Sequence, residues 1–592
     1  MRQNLKYKQT DNTIENMIIK KNKILFIVIA LTIPLLFSCK HDRSIKQVHI
    51  NRVEQMPYLP EPYKMLDWRE MTHNFDQYVF NHSLQGEYLP FIWLDNSQRN
   101  FPQQTFGLYT AIGDVRQGTE VHGGEFHEAI NSLAALMSAG LVGIDKTYQH
   151  GLNYIRMSHN YFNVENGWNI VMNNTSGRVG QLGGGYARDW WYDVFPNVLF
   201  YAVGGLFPDE RSDSIMYIVA EQFFRADSIL DGNYHFSFFD YSEMEGRRSH
   251  IPFQEDAAAG HAWVLLNAYQ KFGDPRFLDG AHSAIQALLS QEESRFYEVL
   301  MPFGAYSAAR LNAQHGSDYD FHRILDWTFD GTNAEDGRYG WGIINERWGD
   351  YDVHGLQGSW SHNGGFAFLM NTFDMAWPLV PMVRYAPQYA ETIGKWMLNT
   401  ANATRLFYPN EIPDEHQFLP EKKNLTRNVI GYEGLIKKDH LGKPELEGVS
   451  PVATGDGPLW VDTNPDVSVF SLYGSAHIGI FGSIVEKTNV ERILRLNCLA
   501  TDFFREAAYP TYLIYNPYDT EKFINYVYEG KAVYLYDVIT GKVVAENISS
   551  NARVAIPAKS ALLVVEVPQE LDLVTSNGRI MAGDVVVSYN IP

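Results

Sequence analysis

Cysteine and positive charge are the two properties that this chain has least of. Only two cysteines occur among the 592 residues, Cys39 and Cys498, so a framework of disulfides is excluded and stability must come from packing. The 48 Lys and Arg residues face 69 Asp and Glu residues, which leaves a net charge of −21. No basic run follows the N-terminal Lys20–Lys23. Because this charge opposes the counterion release that drives nucleic-acid binding, we expect no nucleic-acid partner.

Membrane-length apolar segments and motifs for metal or phosphate are also missing. The apolar stretch 24–37 has about fourteen residues, whereas a membrane-spanning helix needs roughly twenty. His122 and Glu125 could share one helical face, but His127 lies five residues from His122 and points elsewhere, which argues against a zinc site. The three glycines at 183–185 have no strand before them and no Gly-Lys-Ser after them, unlike a phosphate loop. We predict neither a metal nor a cofactor.

The N-terminal segment has the order of a secretory signal. The basic Lys20–Lys23 precedes the apolar stretch 24–37, and the run closes on Leu36-Phe37-Ser38-Cys39. The residues before Met17 are polar and add nothing that a signal needs, so Met17 is a plausible start. The run resembles a bacterial lipoprotein signal. That resemblance implies cleavage before Cys39, lipidation of Cys39, and a lipid-anchored place in the cell envelope, at a membrane facing the periplasm or the outside.

Paired helices are predicted between about residues 124 and 505. In the clearest pair, the segment 256–266 is small or apolar nearly all round, which is typical of an inner helix. After Gly273, Asp274 caps and Pro275 opens a second helix with one apolar face, which is typical of an outer helix. We predict inner helices near 124, 187, 256, 297, 363 and 475, and outer helices near 146, 213, 275, 321, 387 and 489.

Six inner-outer pairs predict an (α/α)6 toroid, followed by a small antiparallel β-sandwich. The repeat of roughly 60 to 70 residues is too long for tetratricopeptide repeats. After Phe504 the chain turns to short β-rich runs separated by turns. The predicted organisation is a signal peptide at 1–38, a tether and lead-in at 39–85, a toroid at 86–508, and a β-sandwich at 509–592. A polar insertion at 405–470 of the toroid is long enough to form a lid over its cavity.

Side chains that can carry chemistry gather at the starts of the inner helices and in the loops before them. Three glycines let a ligand approach the backbone closely, and adjacent arginines suit an anion. A structural interpretation remains open for each cluster, such as packing of a tryptophan or a solvated charged loop. The candidates are Asp114, Arg116 and His122; Tyr186, Arg188, Asp189 and Trp190; Arg247, Arg248 and Asp256; and Glu346, Trp360, His362 and Asn363.

Three of these segments, 255–289, 183–191 and 360–365, resemble toroidal carbohydrate-active enzymes with which Gram-negative bacteria dismantle polysaccharides. The likeness covers about 124–505 and is architectural. It implies an acidic oligosaccharide as substrate, bound by eight of the candidate residues. These are Asp114, Arg116, His122, Trp190, Arg247, Arg248, Glu346 and Trp360.

Two reactions follow from the resemblance. In β-elimination at a uronate, which we favour, His362 or Tyr186 is the base or acid and Arg188 or Asn363 holds the carboxylate. Loss of a sugar makes the enzyme a lyase, and loss of water makes it a dehydratase similar to those of ulvan breakdown. In hydrolysis, as in unsaturated glucuronyl hydrolases and β-glucuronidases, Asp189 and Asp256 form a carboxylate pair. A non-catalytic glycan-binding lipoprotein is the third hypothesis.

Overall fold

A computed structural model describes residues 44–119, 127–164, 167–176, 189–455 and 466–590, except the side chains of Asn363 and Asp466. The α-helices in these ranges are α1 (Asn51–Glu54), α2 (Trp68–Val79), α3 (Ala129–Leu141), α4 (Tyr154–Ser158), α5 (Trp191–Leu206), α6 (Glu210–Leu230), α7 (Ala257–Phe272), α8 (Pro275–Ser290), α9 (Met301–His315), α10 (Phe321–Asp330), α11 (Leu369–Met382), α12 (Ala390–Ala403), α13 (Leu472–Ser475) and α14 (Gly479–Ile484).

Six helices pack side by side into a closed ring. Helix α3 contacts α5, and the contacts continue through α7, α9 and α11 to α14, which contacts α3 again. These helices are buried nearly all round, as their small and apolar sequences predict. Close approach depends on small residues such as Gly260 in α7, where an added Cβ would lie 2.3 Å from Cγ1 of Val194. The ring is therefore a packed core whose functional space lies at its ends.

A second set of helices covers the outside of the ring. Helices α4, α6, α8, α10 and α12 each follow one inner helix in the sequence and pack against it. In α8, Asp274 accepts a hydrogen bond from the backbone N–H of Arg276 and Pro275 begins the helix, as predicted.

Two of the outer-helix predictions are wrong. The region near Asn489 contains strands, since 485–487 and 494–497 pair antiparallel, and the side chains of 494–497 alternate between buried and half-buried. The sixth outer position is filled by α2, which precedes the ring and packs on α14.

Near Lys146 the chain is a loop, because the ammonium of Lys146 is buried against Asp76 of α2, and the helix begins only at Tyr154. Burial lowers the pKa of Lys146 to about 8.

The same residues form short antiparallel sheets. The strands are β1 (Ile92–Asp95), β2 (Thr105–Leu108), β3 (Phe238–Asp240), β4 (Glu245–Arg247), β5 (Trp341–Ile343), β6 (Arg347–Trp348), β7 (Tyr351–Asp352), β8 (Gln357–Ser359), β9 (Phe366–Phe368), β10 (Gly434–Ile436), β11 (Val452–Thr454), β12 (Val485–Lys487), β13 (Leu494–Asn497), β14 (Thr511–Asn516), β15 (Lys522–Tyr526), β16 (Val533–Asp537), β17 (Lys542–Ile548), β18 (Ala552–Ile556), β19 (Ser560–Pro568), β20 (Leu573–Ser576), β21 (Arg579–Ala582) and β22 (Val585–Ser588).

The C-terminal strands form a β-rich region that packs on the ring. Its main sheet has the order β12-β13-β14-β19-β16-β17 and so includes two strands that precede residue 509. The ribbon β15-β18 packs on one face through a separate apolar cluster that includes Ile524, Leu535 and Val554. Helix α12 packs against β14 and β19. A mainly helical chain with a C-terminal β-rich region is therefore confirmed.

The described part of the polar insertion at 405–470 contributes two strands to a sheet of the ring region. Strands β10 and β11 extend a five-stranded sheet of order β11-β10-β9-β8-β5, and β9 continues directly into α11. Backbone pairing therefore anchors 434–436 and 452–454, which argues against a hinged lid for this part. Within the described residues, no helix has the length and apolar character needed to cross a membrane.

Candidate functional site

A cavity of about 280 Å³ lies where the inner helices begin. Glu128 directly precedes α3, Tyr192 lies in the first turn of α5, and Glu298 comes three residues before α9. Helices α11 and α13 contribute their first turns. We call this space the inner cavity; its walls are Thr110, Glu128, Trp191, Tyr192, Glu298, Phe368, Met370, Asn371, Glu433, Tyr473 and Gly474.

Glu298 is the carboxyl group with the most altered acidity in the inner cavity. Burial raises its pKa to about 8, and the charge of Asp189 adds to this, although hydrogen bonds from Asn371 and Tyr297 act in the opposite direction. Its backbone has φ = +59°, a conformation that costs a residue other than glycine about 1–3 kcal/mol. A carboxylic acid that keeps its proton at neutral pH therefore lies in the wall of the cavity, held by an uncommon backbone geometry.

Glu128 is the second carboxyl group, and it is almost fully buried. Its Oε2 accepts a hydrogen bond of 2.6 Å from Nδ2 of Asn173. Burial alone would lower the pKa of Arg116, but the paired carboxylate of Asp114 and the charge of Glu128 raise it. The guanidinium of Arg116 donates to both carboxylate oxygens of Asp114, at 2.9 and 2.6 Å. Glu128 thus lies within the electrostatic reach of a fixed ion pair.

Two tyrosines and a third glutamate complete the polar lining. Burial raises the pKa of Tyr192 and Tyr473 well above the usual value, and the charges of Glu128 and Glu298 add to the effect, so both phenols stay neutral. Glu433 precedes β10, and a Cβ at Gly455 would lie 3.1 Å from its Oε2. The inner cavity therefore offers carboxyl groups together with hydroxyl donors.

A second cavity, of about 330 Å³, adjoins the first, and we call it the outer cavity. Phe368 lines both, and Tyr297 of the outer cavity is the neighbour of Glu298 in the chain. The carboxylate of Asp189 accepts hydrogen bonds from Arg338, at 2.6 Å, and from Gln254. The outer cavity is lined by Tyr297, Arg338, Tyr339, Trp341, Ser359, Ser361, His362, Phe366 and Phe368.

Of the predicted site residues, His362 lines one of these cavities, while Asp114, Arg116 and Asp189 interact with residues that line them. Asp114 and Arg116 form the ion pair on which the charge of Glu128 acts. Asp189 is paired with Arg338 of the outer cavity, and His362 lines that cavity. Asp189 and His362, 173 residues apart, are therefore linked through Arg338, which pairs with the first and lines the same cavity as the second.

Other predicted site residues have structural roles. Trp190 is wholly buried and its ring stacks with Tyr234 and Phe239, so packing accounts for this side chain without a substrate. Asp256 is 1% exposed, and its Oδ2 accepts the backbone N–H of Tyr297 at 3.0 Å. Because it lines neither cavity, its predicted role as a catalytic partner of Asp189 is not supported.

The remaining candidates lie on the surface outside both cavities. Arg247 pairs with Asp240 and Glu245 of its own hairpin, β3-β4, and Arg248 lies over the rings of Phe236 and Phe253. Glu346 pairs with Lys437, and the ring of Trp360 is covered by the guanidinium of Arg52 at 4.4 Å. These ion pairs and ring contacts account for the positions of the four side chains without a bound ligand. His122, Tyr186, Arg188, Cys39 and the side chain of Asn363 lie outside the described residues.

Sequence reasoning missed the residues that make the inner cavity. Glu128, Glu298 and Asn371 each lie at the start of an inner helix, which is the rule that selected the other candidates. Glu128 and Glu298 stand among ordinary acidic and aromatic residues, and only packing shows that they face one space. No local sequence motif marks these three residues. Only their position at the start of an inner helix could have identified them as candidates.

Neither metal nor thiol chemistry is indicated in the described ranges. No group of His, Cys, Asp or Glu there is arranged to hold a metal ion. Burial raises the pKa of the Cys498 thiol to about 12, and Cys498 lines neither cavity.

Comparison with known proteins gives remote structural similarity only. No protein-family model matches the chain, and no curated protein matches it in sequence. A GH127 β-L-arabinofuranosidase from Geobacillus stearothermophilus T6 is 10% identical with a TM-score of 0.36, over 88% of this chain and 85% of that one. A second GH127 β-arabinofuranosidase is 10% identical with a TM-score of 0.36, over 91% and 86%. A third structure, titled a glycoside hydrolase, is 9% identical with a TM-score of 0.33, over 77% and 76%.

Proposed function

We propose that this chain is a glycoside hydrolase built on an (α/α)6 toroid, and that it cleaves a glycosidic bond in the inner cavity. The observation that carries the proposal is that Glu298, whose pKa is raised to about 8, lies in the same cavity wall as the buried carboxyl group of Glu128. Glycosidases use a carboxylic acid and a carboxylate on either side of the scissile bond. The cavity volume is near the lower end of the usual range of about 300–1,000 Å³, which suits one sugar residue.

Glu298 has the properties of the general acid. A pKa of about 8 keeps its proton available at neutral pH, and the raised value comes mainly from burial. In the proposed reaction its proton moves to the glycosidic oxygen as the bond to the departing sugar breaks. Asn371 and Tyr297 hold the carboxyl group in place through hydrogen bonds.

Glu128 is the best candidate for the carboxylate partner. Asp189 already forms an ion pair with Arg338 at 2.6 Å. This pairing makes its carboxylate a weaker base and nucleophile. Glu128 has an amide donor on one oxygen and lines the inner cavity directly. It can therefore stabilise the positive charge that develops on the sugar as the bond breaks.

Elimination at a uronate has less support from the inner cavity. The described residues in its wall include no arginine or lysine, so the carboxylate of a uronate would find no cationic partner there and would lie beside Glu128 and Glu433. His362, the predicted base or acid, lines the outer cavity instead.

The test is a screen of aryl glycosides and plant and algal oligosaccharides with the purified protein. Hydrolysis predicts new reducing ends, incorporation of ¹⁸O from labelled water at the anomeric carbon, and no absorbance near 235 nm. Glu298→Gln and Glu128→Gln should each lower the rate by about 10²- to 10⁴-fold, whereas Glu293→Gln, an exposed position, should leave it unchanged. An unsaturated product absorbing near 235 nm would contradict hydrolysis and return the reaction to elimination.

We also propose that Cys39 anchors the protein by a lipid in the cell envelope. The support is the order of the sequence before it, from Lys20–Lys23 through 24–37 to Cys39. Cys39→Ser should release the protein from the membrane fraction or leave it unprocessed, as judged by fractionation and mass spectrometry. Unchanged fractionation together with unchanged mass would contradict the anchor.

A further inference from the structure

The inner and outer cavities form one continuous binding region with unlike walls. They share Phe368, and the consecutive residues Tyr297 and Glu298 lie on either side of their border. Three glutamates line the inner cavity, whereas Arg338 and His362 line the outer one. The whole chain has a net charge of −21, so a cavity lined by basic side chains differs in charge from the rest of the molecule.

Aromatic rings make up most of the outer wall. The ring of Trp341 lies 5.0 Å from that of Tyr297 and 5.1 Å from that of Phe368. Tyr339 has 60% of its surface exposed, which is unusual for a large aromatic side chain of this protein. Flat apolar faces of this kind pack well against the C–H faces of a sugar ring.

Arg338 is only partly used by the protein. Its Nη2 donates to Asp189 and its guanidinium carbon lies 4.5 Å from the ring centre of Tyr297. Its Nε is buried and has no hydrogen-bond partner among the described residues. The side chain as a whole is 35% exposed, so a ligand carboxylate can reach the guanidinium beside its bond to Asp189. Lys438, whose side chain lies near Gly364, adds positive charge beside His362.

We propose that the outer cavity binds the sugar next to the cleaved bond and selects one that carries a carboxylate. The position next to the cleaved bond rests on the proposed hydrolysis, whereas binding of an acidic sugar in the outer cavity does not. The inner cavity then takes an uncharged terminal sugar, and its neighbour is an acidic sugar that stacks on Tyr339 and faces Arg338. The substrate is accordingly an oligosaccharide in which an acidic residue follows the terminal one.

Calorimetric titration with sodium glucuronate and with glucose tests the binding without any need for turnover. We expect glucuronate to bind at least about tenfold more tightly than glucose, and Arg338→Gln to remove this preference. Tyr339→Ala should weaken both sugars, and because Tyr339 is exposed this variant should fold normally. Tyr148→Ala and Arg225→Gln are matched exposed controls outside both cavities and should leave binding unchanged.

Each outcome bears on one of the two proposals. Glucuronate binding that survives Arg338→Gln and Tyr339→Ala but is lost in Glu128→Gln would place the sugar in the inner cavity and overturn the inference. Equal binding of glucose and glucuronate would also overturn it, while hydrolysis of aryl glycosides would remain untouched. Glucuronate binding that depends on Arg338 and Tyr339 would support the inference even if no hydrolysis were found, and only the proposed reaction would then fail.

Discussion

At the residue scale, Glu298 combines a half-buried side chain, an uncommon backbone conformation and a raised pKa. Replacing it by glutamine keeps the shape and removes the proton that the reaction needs. We expect Glu298→Gln to lower turnover by about 10²- to 10⁴-fold with an unchanged fold, measured by initial rates and circular dichroism. A fall of less than threefold on the best substrate would contradict its role as the general acid.

The pKa of Glu298 also predicts how activity depends on pH. The acid form is the active one, so the rate should fall as the pH rises through about 8. Glu298→Gln should lose this alkaline limb together with most of the rate, whereas Glu293→Gln should keep the profile of the unmodified protein. A rate that stays constant up to pH 9 would show that another group carries the proton.

The same group links stability to pH. The pKa of Glu298 is raised in the folded state, so between the ordinary value of 4.5 and about 8 the unfolded chain is ionised while the folded protein still holds the proton. Stability is therefore lost as the pH rises through this window. We expect the melting temperature of Glu298→Gln to exceed that of the unmodified protein by a margin that grows from pH 5 to pH 8. A margin that is constant or shrinks with pH would contradict the raised pKa.

At the element scale, the contact between α5 and α7 depends on glycine. A Cβ at Gly260 would lie 2.3 Å from Cγ1 of Val194, so Gly260→Ala should push the two helices apart and cost about 1–3 kcal/mol of unfolding free energy. The matched control is Gly205→Ala in α5, where the nearest atom would lie 3.3 Å away, in Phe504. Denaturant melts should show a clearly larger loss at Gly260, and equal losses would contradict tight packing there.

At the scale of the whole molecule, a buried polar network ties the ring to the chain that follows it. The carboxylate of Asp502 accepts hydrogen bonds from Arg384 and from Tyr306 at 2.6 Å, while Arg310 of α9 donates to the carbonyl of Phe504 at 2.9 Å. Asp502→Asn would leave Arg384 without its buried counter-charge, at a cost of about 3–5 kcal/mol. The exposed Asp519→Asn should have no such effect. Equal melting temperatures for the two variants would contradict the role of the network.

The sequence predicted much of the helical organisation because the relevant physics is local. Capping by Asp274 and the small residues of 257–262 require no knowledge of distant contacts, and α7 and α8 begin where they were expected. The outer position near Asn489 could not be predicted in this way. Its occupant, α2, comes from the other end of the ring segment, and only packing on α14 brings it there.

The sequence by itself determined the shortage of cysteine and positive charge, the helical spacing and the change to strands near the C-terminus. Tertiary structure alone decided the candidate site, because Glu128, Glu298 and Asn371 are far apart in the chain and become neighbours only when the ring closes. It also decided which candidates serve packing, as Trp190 does. Helix periodicity is encoded within a few residues, whereas the acidity of Glu298 arises from burial and charges that the fold assembles.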